Sequence, residues 1–219
     1  MDNFSAILSR CPLFEGLSGG AIAKVLGCIK PGQRSCANDA PVFREDSGPA
    51  HIGIVLSGAL HLVRNDRWGN RAIVARFEPG MVFGEAFVCA GVKALPVSII
   101  AAERSEILLF NFTRIISVCS AACEFHTGLI KNMIANLAQK NIQLMEKIEC
   151  VTQRNTRSKI LSYLSLAEKR RKGPVIEIPF DRQELADYLS VDRSALSAEL
   201  CRMRDEGLLA FHKNKFQIL

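Results

Sequence analysis

Hydrophobic positions change their spacing along this chain, and each change marks a different kind of structure. Residues 31–112 carry short β-type runs separated by Gly, Pro, Asn and Asp, the pattern of an all-β sandwich or barrel. Within it, 59–63 and 72–77 flank the polar turn 65–70 and are expected to pair as an antiparallel hairpin. Ahead of this region, residues 1–30 predict two short helices around the break at Cys11 and Pro12, with Ser18 capping the second. They form a flank rather than a domain of their own.

After Phe112 the strand signals stop, and 125–154 predict one long helix with no proline. Ile130, Ile134, Leu137, Asn141, Leu144, Ile148 and Val151 follow one another at steps of 4, 3, 4, 3, 4 and 3 residues, the spacing of a heptad seam. Ile134, Asn141 and Ile148 fall at a positions, and Leu137, Leu144 and Val151 at d positions. β-branched a residues with mainly Leu at d favour a parallel pair of helices, with Asn141 fixing register. The other reading of the same pattern is a helix packed on its own barrel. A further helix over 156–172 ends at Gly173 and Pro174.

The last fifth of the chain predicts a short strand at 175–178, then a helix opened by the capping-box pair Asp181 and Glu184. A turn through Ser190 and Val191 leads to Asp192, which can cap a second helix with Leu196, Leu200 and Met203 on its inner face. Two short helices joined this way form a helix-turn-helix, whose second helix presents its N-terminal residues to the major groove. Arg193, Ser194, Ser197 and Ala198 are the expected base readers: Arg193 suits guanine O6 and N7, and Ala198 a thymine methyl. Arg182, Gln183 and Ser190 are expected to contact phosphates. Gly207 ends the second helix, and 208–211 with 215–219 form a β-wing around the turn 212–214.

Composition is consistent with this picture. The 219 residues suffice for two ordinary domains, and the formal net charge is +6. From Thr152 onward there are 13 Lys and Arg against 9 Asp and Glu, so this segment carries +4 of that charge, as contact with a polyanion requires. No segment reads as an export signal or a membrane span, so the expected location is cytoplasmic, with no membrane partner and with the eight cysteines as reduced thiols. Cys119, Cys123 and His126 share one helical face and form a candidate metal or redox group; simple packing of two small thiols explains the same spacing.

The order of motifs resembles the cyclic-AMP receptor protein and FNR (Crp/Fnr) family of bacterial transcription regulators over nearly the whole chain. The resemblance rests on Pro12-Leu13-Phe14-Glu15-Gly16-Leu17, on Gly58, on Pro79-Gly80-Met81-Val82-Phe83-Gly84-Glu85-Ala86, on the long helix, and on residues 182–197. It implies an α+β protein that is not an enzyme, with three parts. Residues 1–118 form a cyclic-nucleotide-binding-like jelly roll, or double-stranded β-helix, that senses an effector. Residues 119–153 are the dimerisation helix, and 154–219 a winged helix-turn-helix. The implied partners are a second copy, near-palindromic double-stranded DNA and RNA polymerase.

The resemblance also implies an effector pocket around Gly84, Glu85, Ala86, Leu95 and Pro96. The family's cyclic-nucleotide binders place Arg-Ser or Arg-Thr about ten residues after Gly-Glu, and here Leu95 and Pro96 stand there. A cyclic phosphate would lose its bidentate charged partner, so the expected signal is another small effector, or a redox or metal signal, rather than cyclic AMP. Cys11, Cys28 and Cys36 are too scattered for the iron–sulfur cluster of FNR-like members. A cyclic-nucleotide-responsive regulator is the alternative within the family. From another class, a cupin-type metalloenzyme would need barrel histidines, for which His51 and His61 are the candidates.

Overall fold

The computed structural model describes residues 4–48, 51–111, 124–170 and 174–219, and the side chains of 124–126 fall outside that description. The chain divides into two compact units, residues 1–70 with 74–139, and residues 71–73 with 140–219.

The first unit begins with helix α1 (Ser5–Leu8), a 3-10 turn (Pro12–Phe14) and helix α2 (Gly19–Ile29). Pro12 opens the 3-10 turn, where its missing amide costs nothing, and the Ser18 side chain accepts from the Ala21 amide at 3.3 Å to cap α2. Strands β1 (Gly32–Cys36), β2 (Pro41–Phe43), β3 (His51–Ser57), β4 (Leu60–Asn65), β5 (Arg71–Phe77) and β6 (Val82–Phe83) follow. Helix α3 (Glu85–Cys89) and strands β7 (Ser98–Ala101) and β8 (Ser105–Asn111) complete the roll. The strands form two four-stranded sheets, ordered β1-β8-β3-β6 and β2-β7-β4-β5, so the expected hairpin is the β4–β5 pair.

Strand β3 shows why the roll needs a cover on one side. Side chains alternate across a strand, and here both sets are apolar. Val55 faces the second sheet with Val42, Leu60, Phe77, Phe83, Ile99 and Ile107. Ile52, Ile54 and Leu56 point the other way, into a core shared with Leu8, Leu13, Phe14, Ile22 and Leu26. The N-terminal flank is therefore part of the first unit's core. Gly53 sits between these positions because a Cβ there would lie 2.0 Å from the Phe83 ring.

Helix α4 (Glu124–Val151) is the long helix, and its Leu129 and Met133 close the same core. In the second unit, helix α5 (Thr156–Arg170) precedes strand β9 (Ile176–Glu177), helices α6 (Arg182–Leu189) and α7 (Arg193–Asp205), and strands β10 (Leu209–His212) and β11 (Lys215–Ile218). The last strands turn at Lys213–Asn214 and join β9 in a three-stranded sheet ordered β10-β11-β9. The expected wing and the short strand expected at 175–178 are thus one sheet.

Candidate nucleic-acid interface and sensor site

Helix α6 begins with a complete capping box. The Glu184 amide donates to Asp181 Oδ1 at 2.8 Å, and the Asp181 amide donates to Glu184 Oε2 at 2.9 Å. It ends at Ser190, in the left-handed region at φ 52°, where the chain reverses toward α7. Lys159 of α5 donates to the Leu189 and Ser190 carbonyls at 3.1 and 3.2 Å, placing a cation at the negative end of α6. Asp192 has the extended backbone of an N-cap, but its side chain makes no capping bond.

Helix α7 buries Leu196, Leu200 and Met203, as its spacing predicts. Arg193, Ser194 and Ala198 are exposed and Ser197 is half-buried, so the four expected base readers lie on the outer part of the helix. Exposed Cys201, four residues after Ser197 and three after Ala198, extends that face, and sequence reasoning had passed over it. The inner side carries one carboxylate, Glu199, which accepts from Arg157 Nε at 2.6 Å and from Arg202 Nη1 at 3.0 Å. The other two arms of Arg157 donate to Glu206 at 2.8 and 2.7 Å. The bond to Arg157 holds the Glu206 carboxyl below its ordinary range and, with Glu199, raises the guanidinium. A planar fork bound to two carboxylates seven residues apart, about two helical turns, sets the rotation of α7 about its own axis.

The expected phosphate contacts divide. Gln183 and Ser190 are exposed, and the Gln183 amide donates to Asp187 Oδ1 at 2.7 Å. Arg182 is half-buried, its guanidinium 4.8 Å from the centre of the Phe211 ring and 5.0 Å from that of Phe216, so it ties the start of α6 to the wing. Burial pushes its pKa down.

The end of α4 is built into the second unit. Lys147 Nζ stands 4.1 Å from the centre of the Tyr188 ring and donates to the Ile73 carbonyl. Burial lowers its pKa to about 8. Tyr188 belongs to an aromatic group with Phe180 and Tyr163, at ring distances of 4.9 and 5.5 Å. Beside it, Ser162 Oγ donates to the buried Cys150 sulfur at 3.4 Å, and Arg170 pairs with Glu146. These ties to α4 join residues 12 to 74 positions apart, and no local pattern announces them.

In the first unit the residues expected to line an effector pocket separate by burial. Gly84, at φ 82°, starts α3, and a Cβ there would lie 3.1 Å from the His51 carbonyl. Glu85 and Leu95 are buried, each 1% exposed, whereas Ala86 and Pro96 are exposed. Leu95 is strapped in place: its amide donates to the Ser47 carbonyl and its carbonyl accepts from the Asp46 amide, both at 2.9 Å. The position where a nucleotide-binding arginine would stand is thus an apolar core position.

Two family models match the chain: a cyclic nucleotide-binding domain over residues 33–121 and a Crp-like helix-turn-helix domain over residues 158–219. The chain belongs to the Crp/Fnr family. Among solved structures of the same fold, the c-di-GMP responsive global regulator CLP of Xanthomonas campestris is 16% identical with a TM-score of 0.75, over 92% of this chain and 99% of that one. A CooA mutant from Carboxydothermus hydrogenoformans is 17% identical with a TM-score of 0.73, over 93% and 87% of the two chains. FixK2 from Bradyrhizobium japonicum is 17% identical with a TM-score of 0.68, over 86% and 92%. No curated protein matches the chain in sequence.

This Crp/Fnr chain carries an apolar stripe on α4 opposite the face that covers the roll. Ile130, Ile134, Leu144 and Ile148 of the expected seam are exposed, as is Asn141, and Ile142 and Met145 widen the stripe. Leu137 is half-buried against the first unit's core, and Val151 is half-buried. Leu129 and Met133 pack inward on the roll, while the isoleucines of the heptad pattern face out.

Cys119 and Cys123 of the candidate metal or redox group lie outside the described residues, as does the side chain of His126. Among the described residues no group of three His, Cys, Asp or Glu is arranged to hold a metal ion. Of the barrel histidines, His61 is fully buried with Nε2 3.1 Å from Arg76 Nη1, a cationic neighbour that disfavours a bound cation, and His51 is half-buried at the start of β3. No helix among the described residues is long and apolar enough to cross a membrane.

Proposed function

We propose that this DNA-binding transcription regulator acts as a cytoplasmic homodimer, with two α4 helices paired along the isoleucine seam and two α7 helices reading the half-sites of a near-palindromic operator. The observation that carries the reading is the outer face of α7, where Arg193 stands among Ser194, Ser197 and Ala198 on a helix whose inner face is clamped by Arg157. Small neighbours let the helix approach the groove floor, and Arg193 is the long donor able to grip a guanine edge. Gln183 and Ser190 supply phosphate contacts, and Arg182 does so from the base of the wing. A dimer of this kind can also meet RNA polymerase beside its operator. The signal it answers is not cyclic AMP, because Leu95 occupies the arginine position and is sealed in the core. A small effector of other chemistry, or a redox or metal signal at Cys119, Cys123 and His126, fills that role.

Selection of DNA from a random library by the full-length protein tests this. The expected product is an inverted repeat with half-sites about one helical turn apart. Arg193→Ala is expected to cost about 1–3 kcal/mol and to relax preference at one base pair in each half-site. A loss spread evenly over all sequences would make Arg193 a phosphate contact, and no enrichment of any sequence would end the proposal.

A further inference from the structure

Glu85 lies on α3, withdrawn from water, and its Oε1 accepts a 3.1 Å hydrogen bond from Nδ2 of Asn136, a buried residue of α4 that is 51 positions away in sequence. One turn earlier on the same face, Asn132 Nδ2 donates to the Leu13 and Glu15 carbonyls at 3.1 and 2.9 Å. Leu129 and Met133, on the same stretch of helix, pack into the core beside these amides. This face of α4 therefore carries two directed amides among its apolar contacts, each aimed at a fixed acceptor on a different element. Apolar contacts tolerate a small slide of a helix along a sheet. A buried carboxylate does not, because moving Asn136 away takes a donor from a group that cannot regain it from water.

The same bond bears on the sensor site. A sugar hydroxyl that reached Glu85 would meet a carboxyl group whose Oε1 already accepts from Asn136, and Leu95 offers no charge for a phosphate nearby. We propose that Asn136 is a positioning residue that supplies, from within the chain, the donor a ligand would otherwise give to Glu85, so that α4 is held on the roll and DNA is read without a nucleotide. This inference rests on the DNA-reading function proposed above. In two-state terms the bond biases the arrangement in which α4 sits against α3, as a ligand with differential affinity would. A hydrogen bond to a charged group shifts such an equilibrium by about 10- to 100-fold.

The test uses full-length protein, shown by mass spectrometry to be nucleotide-free, and the DNA that wild type selects. Wild type is expected to bind that DNA equally well with and without saturating cyclic AMP or cyclic GMP. Asn136→Ala is expected to weaken binding by about 10- to 100-fold while circular dichroism and sedimentation show a folded dimer. Glu85→Ala, which removes the acceptor, is expected to lose as much as Asn136→Ala, and the double variant no more than either alone. Unchanged DNA affinity in folded Asn136→Ala would overturn the proposal, as would a wild type that needs either nucleotide to bind, or losses of the two single variants that simply add in the double. If Asn136→Ala does not fold, the nucleotide comparison and Glu85→Ala decide. Failure of the DNA-reading function looks different, since no DNA would then be selected at all.

Discussion

Replacing Ile134 by alanine removes an exposed apolar side chain from the middle of the proposed seam while improving helix propensity, so α4 itself is not weakened. Ile134 is 63% exposed in the single chain. Full burial of an isoleucine side chain is worth about 1.5–3 kcal/mol, so covering the exposed share contributes about 1–2 kcal/mol. A two-fold interface counts the residue twice, which gives about 2–4 kcal/mol per dimer and a rise of roughly 30- to 1,000-fold in the dimer Kd. Sedimentation equilibrium over a concentration series measures that Kd directly. Met133→Ala is the control: Met133 is 5% exposed and packs on the roll, so its loss lowers the melting temperature through a cost of about 2–5 kcal/mol and leaves the dimer Kd much less changed. A dimer Kd for Ile134→Ala within about threefold of wild type would refute the seam, and so would an equal rise from Met133→Ala.

Three further outcomes follow from the geometry. Because burial lowers the Lys147 pKa to about 8, the unfolded chain holds a proton that the folded one has lost between pH 8 and the usual lysine range, so Lys147 makes stability rise with pH in that window, with a slope of at most about 1.4 kcal/mol per pH unit. The difference between wild type and Lys147→Met in denaturant titrations isolates this slope from Cys150 and Tyr188, whose pKa values burial raises; a difference flat from pH 8 to 10 would contradict it. Asp181→Ala removes the first half of the α6 capping box and should cost about 0.5–2 kcal/mol in unfolding free energy, with a negligible change counting against the cap. Leu95→Arg should destabilise the protein by on the order of 3–5 kcal/mol by burying an unpaired guanidinium, and calorimetry should detect no cyclic AMP binding; a stable variant that binds cyclic AMP would show that the position is not sealed.

Much of this protein is legible in the sequence because the relevant signals are local. Ser18, Asp181 with Glu184, and Gly207 mark helix ends through contacts that span three or four residues, and the structure shows a cap bond, a capping box and a left-handed glycine at these places. The buried face of α7 follows from the spacing of Leu196, Leu200 and Met203, since helix geometry alone puts them on one side. The departure at Leu95 and Pro96 was equally readable, because a missing charge needs no coordinates to notice.

What only the tertiary structure decided concerns contacts between distant residues and the choice among faces of one helix. A heptad pattern names a stripe on α4, but it takes the folded roll to show that Leu129 and Met133 are covered from within while Ile134 and Ile148 are not. Arg182 reads as a phosphate contact at a helix start, and only the folded wing shows that Phe211 and Phe216 also lie against its guanidinium. The Arg157 fork on Glu199 and Glu206 and the Asn136 bond to Glu85 join residues more than 40 positions apart. Polar side chains of these types are common along any sequence, and only the fold determines which of them are removed from water and so compelled to find a partner.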